Sequence, residues 1–186
     1  TWQRDRAGDS AGAERALAKA LEFDPSSDEV LELVEQLQRE PGREKDLIAT
    51  LRRRARLQVD EERRQELYQQ AKQLADAQGD AELGEAVLRE LLEQDDVNLW
   101  ALGELTALRE AAEDYEETYR LLVRRAELGA AGRVVRDLRH QAASIARERL
   151  DQKEQAIELY EALFDDDPLD DVASAALKEL YAAAGR

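Results

Sequence analysis

The chain has 186 residues, enough for one compact domain or a short solenoid, and its formal net charge of −16 repels phosphate backbones and anionic lipid surfaces, so neither nucleic acid nor membrane is an expected partner. It contains no cysteine, which excludes disulfides, thiol catalysis and thiolate metal sites, and no apolar run approaches the roughly 20 residues of a membrane span. Hydrophobic residues at 43% can form a core, and because Ala, Leu, Glu, Arg and Gln dominate while β-branched and aromatic residues are sparse, the core is expected to be all-α.

Turn-like pairs fall at Gly8-Asp9, Gly42-Arg43, Gly79-Asp80, Glu113-Asp114, Leu150-Asp151 and Gly185-Arg186, at spacings of 34, 37, 34, 37 and 35 residues. Short and long units alternate, which makes a double repeat of 71. Under that shift Leu17 and Leu21 land on Leu88 and Leu92, Leu31 and Leu37 on Leu102 and Leu108, Arg53, Arg54 and Ala55 on Arg124, Arg125 and Ala126, and Ala71 and Ala75 on Ala142 and Ala146.

In chain order, the pattern predicts helices over 9–23, 27–40, 43–58, 61–78, 81–94, 98–112, 114–128, 131–149, 152–165 and 169–184, with partial helix before Gly8. The stripe Leu31, Val34, Leu37 ends at Gly42, which accepts the left-handed stop, and Leu47, Ile48, Leu51 and Ala55 form the stripe of the next helix. Leu102, Leu105, Leu108 and then Tyr119, Leu122, Ala126 repeat the arrangement. Asp24-Pro25 and Asp167-Pro168 stop helices because proline cannot continue the ladder, and Ser27 and Asp28 are placed to cap the helix that follows.

The segment GDSAGAERALAKALEFDP, Gly8 to Pro25, resembles the second half of a tetratricopeptide repeat, with Ala13, Leu17, Ala20 and Pro25 at the family's positions. Leu150 to Pro168 is similar, with Ala156, Tyr160, Leu163 and Pro168, and the last segment resembles a first helix through Leu177, Tyr181 and Gly185. Leu47, Gly84 and Thr118 stand where the family carries an alanine in its second helix. The resemblance implies a right-handed superhelical solenoid of about five stacked helix-turn-helix repeats, with units near 1–25, 26–61, 62–96, 97–132 and 133–168 and a half unit at 169–186. Both ends fall within a repeat and no initiator methionine is present, so the chain is expected to be a piece of a longer protein whose array continues on both sides.

His140 is the only histidine, so neither a nucleophile–base triad nor a histidine metal cluster can be assembled, and no catalytic residue, metal or cofactor is expected. The acidic run Asp165, Asp166, Asp167, Asp170 and Asp171 lacks the ordered spacing of a calcium loop and reads as a solvated turn. Arg52, Arg53, Arg54, Arg56, Arg63 and Arg64, and the related set Arg124, Arg125, Arg133, Arg136 and Arg139, have the donors to recognise carboxylates or phosphates bidentately, but are expected instead to pair with glutamates on adjacent helices.

What the resemblance implies for binding is a concave groove lined by the first helix of each unit. Its expected residues are Glu29, Glu32, Gln36, Glu66, Gln69, Gln73, Trp100, Gly103, Ala107, His140 and Ser144. Trp100 beside the small Gly103 and Ala107 reads either as an aromatic anchor for a partner or as packing between repeats. The glutamates and glutamines at these positions depart from the lysine–asparagine carboxylate clamp of the family's chaperone-tail binders. The expected function is a non-catalytic scaffold that takes a protein or peptide in the groove; the alternative is a regulatory or sensor module fused to a signalling enzyme or transcription factor. The sequence does not identify the compartment, with the cytoplasm favoured; arginine-rich composition fits a GC-rich bacterial genome, and open repeat faces at the ends predict end-to-end self-association.

Overall fold

A computed structural model describes residues 2–129, 132–183 and 185, with side chains from Ala11 onward. Among these the elements are all helices: α1 (Trp2–Phe23), α2 (Asp28–Gln38), α3 (Glu44–Leu57), α4 (Glu61–Ala77), α5 (Ala81–Gln94), α6 (Leu99–Ala111), α7 (Tyr115–Leu128), α8 (Arg133–Glu148), α9 (Lys153–Asp166) and α10 (Asp171–Ala183). The chain divides into two compact units, Thr1–Asp96 with α1 to α5 and Val97–Arg186 with α6 to α10. Within each, every helix packs on its neighbours in sequence, the all-α hairpin-repeat architecture that the spacing predicts.

Two kinds of turn alternate. Turns inside a hairpin carry a left-handed residue: Gly42 (φ 91°), Gly79 (φ 70°), Glu113 (φ 56°) and Asp151 (φ 52°); Gly185 (φ 68°), after α10, has the same backbone. The amide of Asp80 reaches back to the Ala75 carbonyl (3.0 Å) and that of Asp114 to Arg109 (3.0 Å), so that the helix-end carbonyls are satisfied by a six-to-one bond. Several turns between hairpins instead place an extended residue whose side chain caps the next helix. Ser27 accepts from the Val30 amide (3.4 Å), Asp60 from Arg63 (2.7 Å) and Asn98 from Ala101 (3.0 Å).

The expected stripes are the core. In the first unit Leu31, Leu47, Ile48, Leu51, Ala55, Leu67, Tyr68, Ala71, Val87, Leu88 and Leu91 are buried. In the second, Leu122, Val135, Leu138 and Ala142 form one cluster, and Ala146, Ala156, Tyr160, Leu163, Ala173, Leu177 and Leu180 belong to another. Leu47, Gly84, Thr118 and Ala156 are all buried, and Thr118 satisfies its hydroxyl on the Asp114 carbonyl (2.7 Å).

One turn is corrected. Gly8-Asp9 does not break the chain: α1 runs continuously from Trp2 to Phe23. A lone interior glycine costs a helix about 1 kcal/mol but leaves the hydrogen-bond ladder intact, and no proline stands nearby to force a stop. Of the other predicted ends, Ala131, Ala184 and Arg186 lie outside the described residues.

Candidate functional site

The residues expected to bind a partner lie on the first helix of each hairpin. In the first unit, Glu29, Glu32 and Gln36 of α2 and Glu66 and Gln73 of α4 are exposed, and Gln69 is half-buried. Glu66 is paired to Arg63 of its own helix (2.8 Å), and Glu32 lies 3.7 Å from Arg54. In the second unit, Trp100 is half-buried in the first turn of α6, Ala107 is exposed, and Gly103 lies against Arg125 of α7.

His140 and Ser144, one turn apart on α8, line a single cavity of about 550 Å³ with Glu110 of α6, Arg147 of α8, Tyr160 of α9 and Val172 of α10. His140 Nε2 lies 2.7 Å from Asp170 Oδ2, and Asp170 Oδ1 accepts the Ala173 amide (2.9 Å), so that one carboxylate starts α10 and ties it to α8. Burial pushes the Asp170 carboxyl up, but the Ala173 amide and His140 outweigh it and hold the group below its ordinary range. The Tyr160 ring stands 6.4 Å from the imidazole at 59°, Arg147 lies 6.0 Å over its centroid, and burial raises the phenol above its usual value. Glu148, at the rim, is lowered by its bond from Arg147 and also by one from Ser144. The wall is thus amphipathic, with an aromatic floor, both signs of charge and a hydroxyl. Such a wall can orient a side chain of mixed character.

Three carboxylates of the acidic run have partners on α8, while Asp165, Asp166 and Asp171 remain exposed. Arg139 reaches Asp166 (2.5 Å) and Arg136 reaches Asp167 (2.9 Å), so two arginines of α8 neutralise part of the run, and His140 reaches Asp170. Among the described residues no group of three or more His, Asp or Glu is arranged to hold a metal ion.

Two acidic residues organise the first unit and carry no signal in the sequence. Glu90 of α5 receives Arg52 Nε (2.6 Å) and lies 3.0 Å from Arg56 Nε, across a depression of about 800 Å³ on α3 and α5. Glu35 of α2, 5% exposed, is bonded by Arg39 and by Arg54, itself 3% exposed, while Arg54 also donates to both carboxylate oxygens of Asp28 (2.7 and 3.1 Å). Both glutamates read as ordinary surface acids of amphipathic helices; only the crossing of a second helix carrying arginine makes them interior groups.

No family model matches the chain, and no curated protein does. Among solved structures, a tetratricopeptide repeat protein from Parabacteroides merdae ATCC 43184 is 16% identical with a TM-score of 0.44, over 99% of this chain and 70% of its own. YrrB, a TPR protein with an unusual peptide-binding site, is 17% identical with a TM-score of 0.42, over 94% of this chain and 88% of its own. The TPR domain of P58(IPK) is 17% identical with a TM-score of 0.37, over 99% of this chain and 54% of its own.

Proposed function

We propose that this chain, a divergent tetratricopeptide-like helical repeat protein, is a non-catalytic protein–protein interaction scaffold that holds a segment of a partner on the first helices of its hairpins. The observation that supports this reading most is the cavity beside His140 and Ser144, open and amphipathic, with Tyr160 behind it and Arg147 at its edge. The sole histidine is engaged by a carboxylate that starts a helix, and the 186 residues hold no cysteine or second histidine to complete a nucleophile–base pair. In the first unit Glu32, Gln36 and Gln73 stand exposed on first helices and offer polar positions; in the second Ala107 is exposed on α6, and Trp100 and Gly103 are half-buried there and offer an aromatic anchor.

The test is selection of binders from a displayed peptide library, followed by affinity measurement on variants with wild-type circular dichroism. Ser144→Trp fills the cavity and is expected to weaken the selected peptides by about tenfold or more, and Trp100→Ala to weaken those that span α6. Peptides whose affinity is unchanged by Ser144→Trp, Trp100→Ala and Gln73→Arg would move the interface away from these helices and overturn the assignment.

A further inference from the structure

The α2–α3 and α6–α7 hairpins are copies of each other at an offset of 71 residues: α2 starts at Asp28 and α6 at Leu99, α3 at Glu44 and α7 at Tyr115. The left-handed turn residue moves with them, from Gly42 to Glu113, and so does the cap, from Ser27 to Asn98. In this register Arg54 of α3 corresponds to Arg125 of α7.

At Arg54 the guanidinium is fully provided for, with Asp28 on Nε and Nη2, Glu35 on Nη1 and Glu32 at 3.7 Å. The counterparts of those three acids in α6 are Leu99, Gly103 and Thr106, so every carboxylate is gone. Arg125 still turns towards α6. A Cβ on Gly103 would lie 3.7 Å from its Nη2 and 3.8 Å from its Cζ, which means that the guanidinium rests on bare backbone. Thr106 donates its hydroxyl to the Leu102 carbonyl (2.6 Å) and receives no hydrogen bond from Arg125. The Arg125 guanidinium has no hydrogen bond or ion pair to a described residue. Burial lowers its pKa from the ordinary arginine value, with no acid acting in the other direction. A half-buried guanidinium without an acceptor is costly, and its planar fork of donors is shaped for a carboxylate.

We propose that Arg125 is a recognition point for a carboxylate supplied by a partner: an Asp or Glu side chain enters over Gly103 and takes the place that Glu32 and Glu35 hold at Arg54. The assignment to a carboxylate follows from the chain itself, which satisfies the same guanidinium of the sister hairpin with three of them. It rests on the reading of Trp100, Gly103 and Ala107 as part of the partner-binding face and gives that face a chemical preference, an acidic residue set beside the Trp100 anchor.

The experiment is a titration of the full chain, labelled with ¹⁵N-arginine, with the capped amino acid N-acetyl-glutamate amide, observed at the side-chain Nε–H signals. A saturable shift is expected at Arg125 and none at Arg54, whose acceptors are already in place. Gly103→Glu supplies the carboxylate internally; it is expected to move the free Arg125 signal towards that of Arg54 and to weaken the titration by about tenfold or more. Gly103→Ala, whose added Cβ makes an ordinary contact, keeps the response, and Arg125→Gln removes its signal and leaves the other arginines unresponsive. An Arg125 response no larger than that of Arg120, or matched by N-acetyl-glutamine amide, overturns the site. Inorganic phosphate acting at lower concentration than the carboxylate overturns the choice of partner group. Loss of the response while selected peptides still depend on Trp100 removes this site and leaves the scaffold reading standing; loss of both removes the face itself.

Discussion

At the scale of single residues, the α2–α3 hairpin depends on Arg54. Removing the guanidinium leaves Glu35 buried with Arg39 alone and frees Asp28, so Arg54→Ala is expected to destabilise the chain by about 3 kcal/mol, read as a lower urea midpoint. The paired replacement Arg54→Met with Glu35→Leu should recover most of that loss, because an apolar pair carries no desolvation penalty. The hydrogen bond from Arg54 holds the Asp28 carboxyl below its ordinary value of 3.8, so on acidification the unfolded chain takes up this proton first. The stabilisation by Asp28 is therefore whole above about pH 5 and is lost as pH falls through the folded pKa. The measured stability difference between wild type and Asp28→Asn should be constant above that pH and shrink below it; a difference that grows with acid would contradict the sign. This pair is partly legible in the sequence, where Arg54 stands out in a basic cluster, but its partners lie 26 and 19 residues away on a face that reads as solvent.

Among the elements, the turns inside hairpins carry the clearest test. Glu113 and Asp151 adopt left-handed backbone that costs an L-residue about 1–2 kcal/mol, against the roughly 0.5–1 kcal/mol of extra unfolded-state freedom that glycine brings. Glu113→Gly and Asp151→Gly are each expected to raise the melting temperature modestly, and Gly79→Ala to lower it by more. Thermal unfolding of the three variants checks the order. The repeat period marks Glu113, 71 residues after Gly42, even though no glycine stands there, but from Gly79 it points to Leu150, one residue before the left-handed Asp151. The same marking fails at Gly8, where the turn residue is present and the helix runs through it. A stop needs the chain to leave in a new direction and find a helix to pack on, and glycine alone supplies only permission.

For the molecule as a whole, 43 acidic residues face 27 basic ones, and many of the described arginines are held by carboxylates in ion pairs. The surplus acids repel one another at low ionic strength. Raising sodium chloride from about 10 mM, where the Debye length is near 30 Å, to about 0.5 M is expected to increase the melting temperature. A decrease would mean that the ion pairs outweigh the net repulsion. Because the chain forms two compact units, the loss need not be two-state, and separate transitions for α1 to α5 and α6 to α10 are a permitted outcome of the same scan.

The helices, most of their turns and the apolar stripes are legible in the sequence, because each depends on residues within one or two turns of each other: periodicity, caps and stop residues. The sequence by itself also determined the register of the double repeat, since that is a property of spacing alone. Only the tertiary structure decided which polar groups are interior. Glu35, Glu90 and Asp170 acquire their roles from arginines and a histidine brought across from other helices, and Arg125 stands without the acids of its sister Arg54 because the facing positions of α6 are Leu99, Gly103 and Thr106. Burial and pairing are relations between helices, and the local pattern of one helix does not contain them.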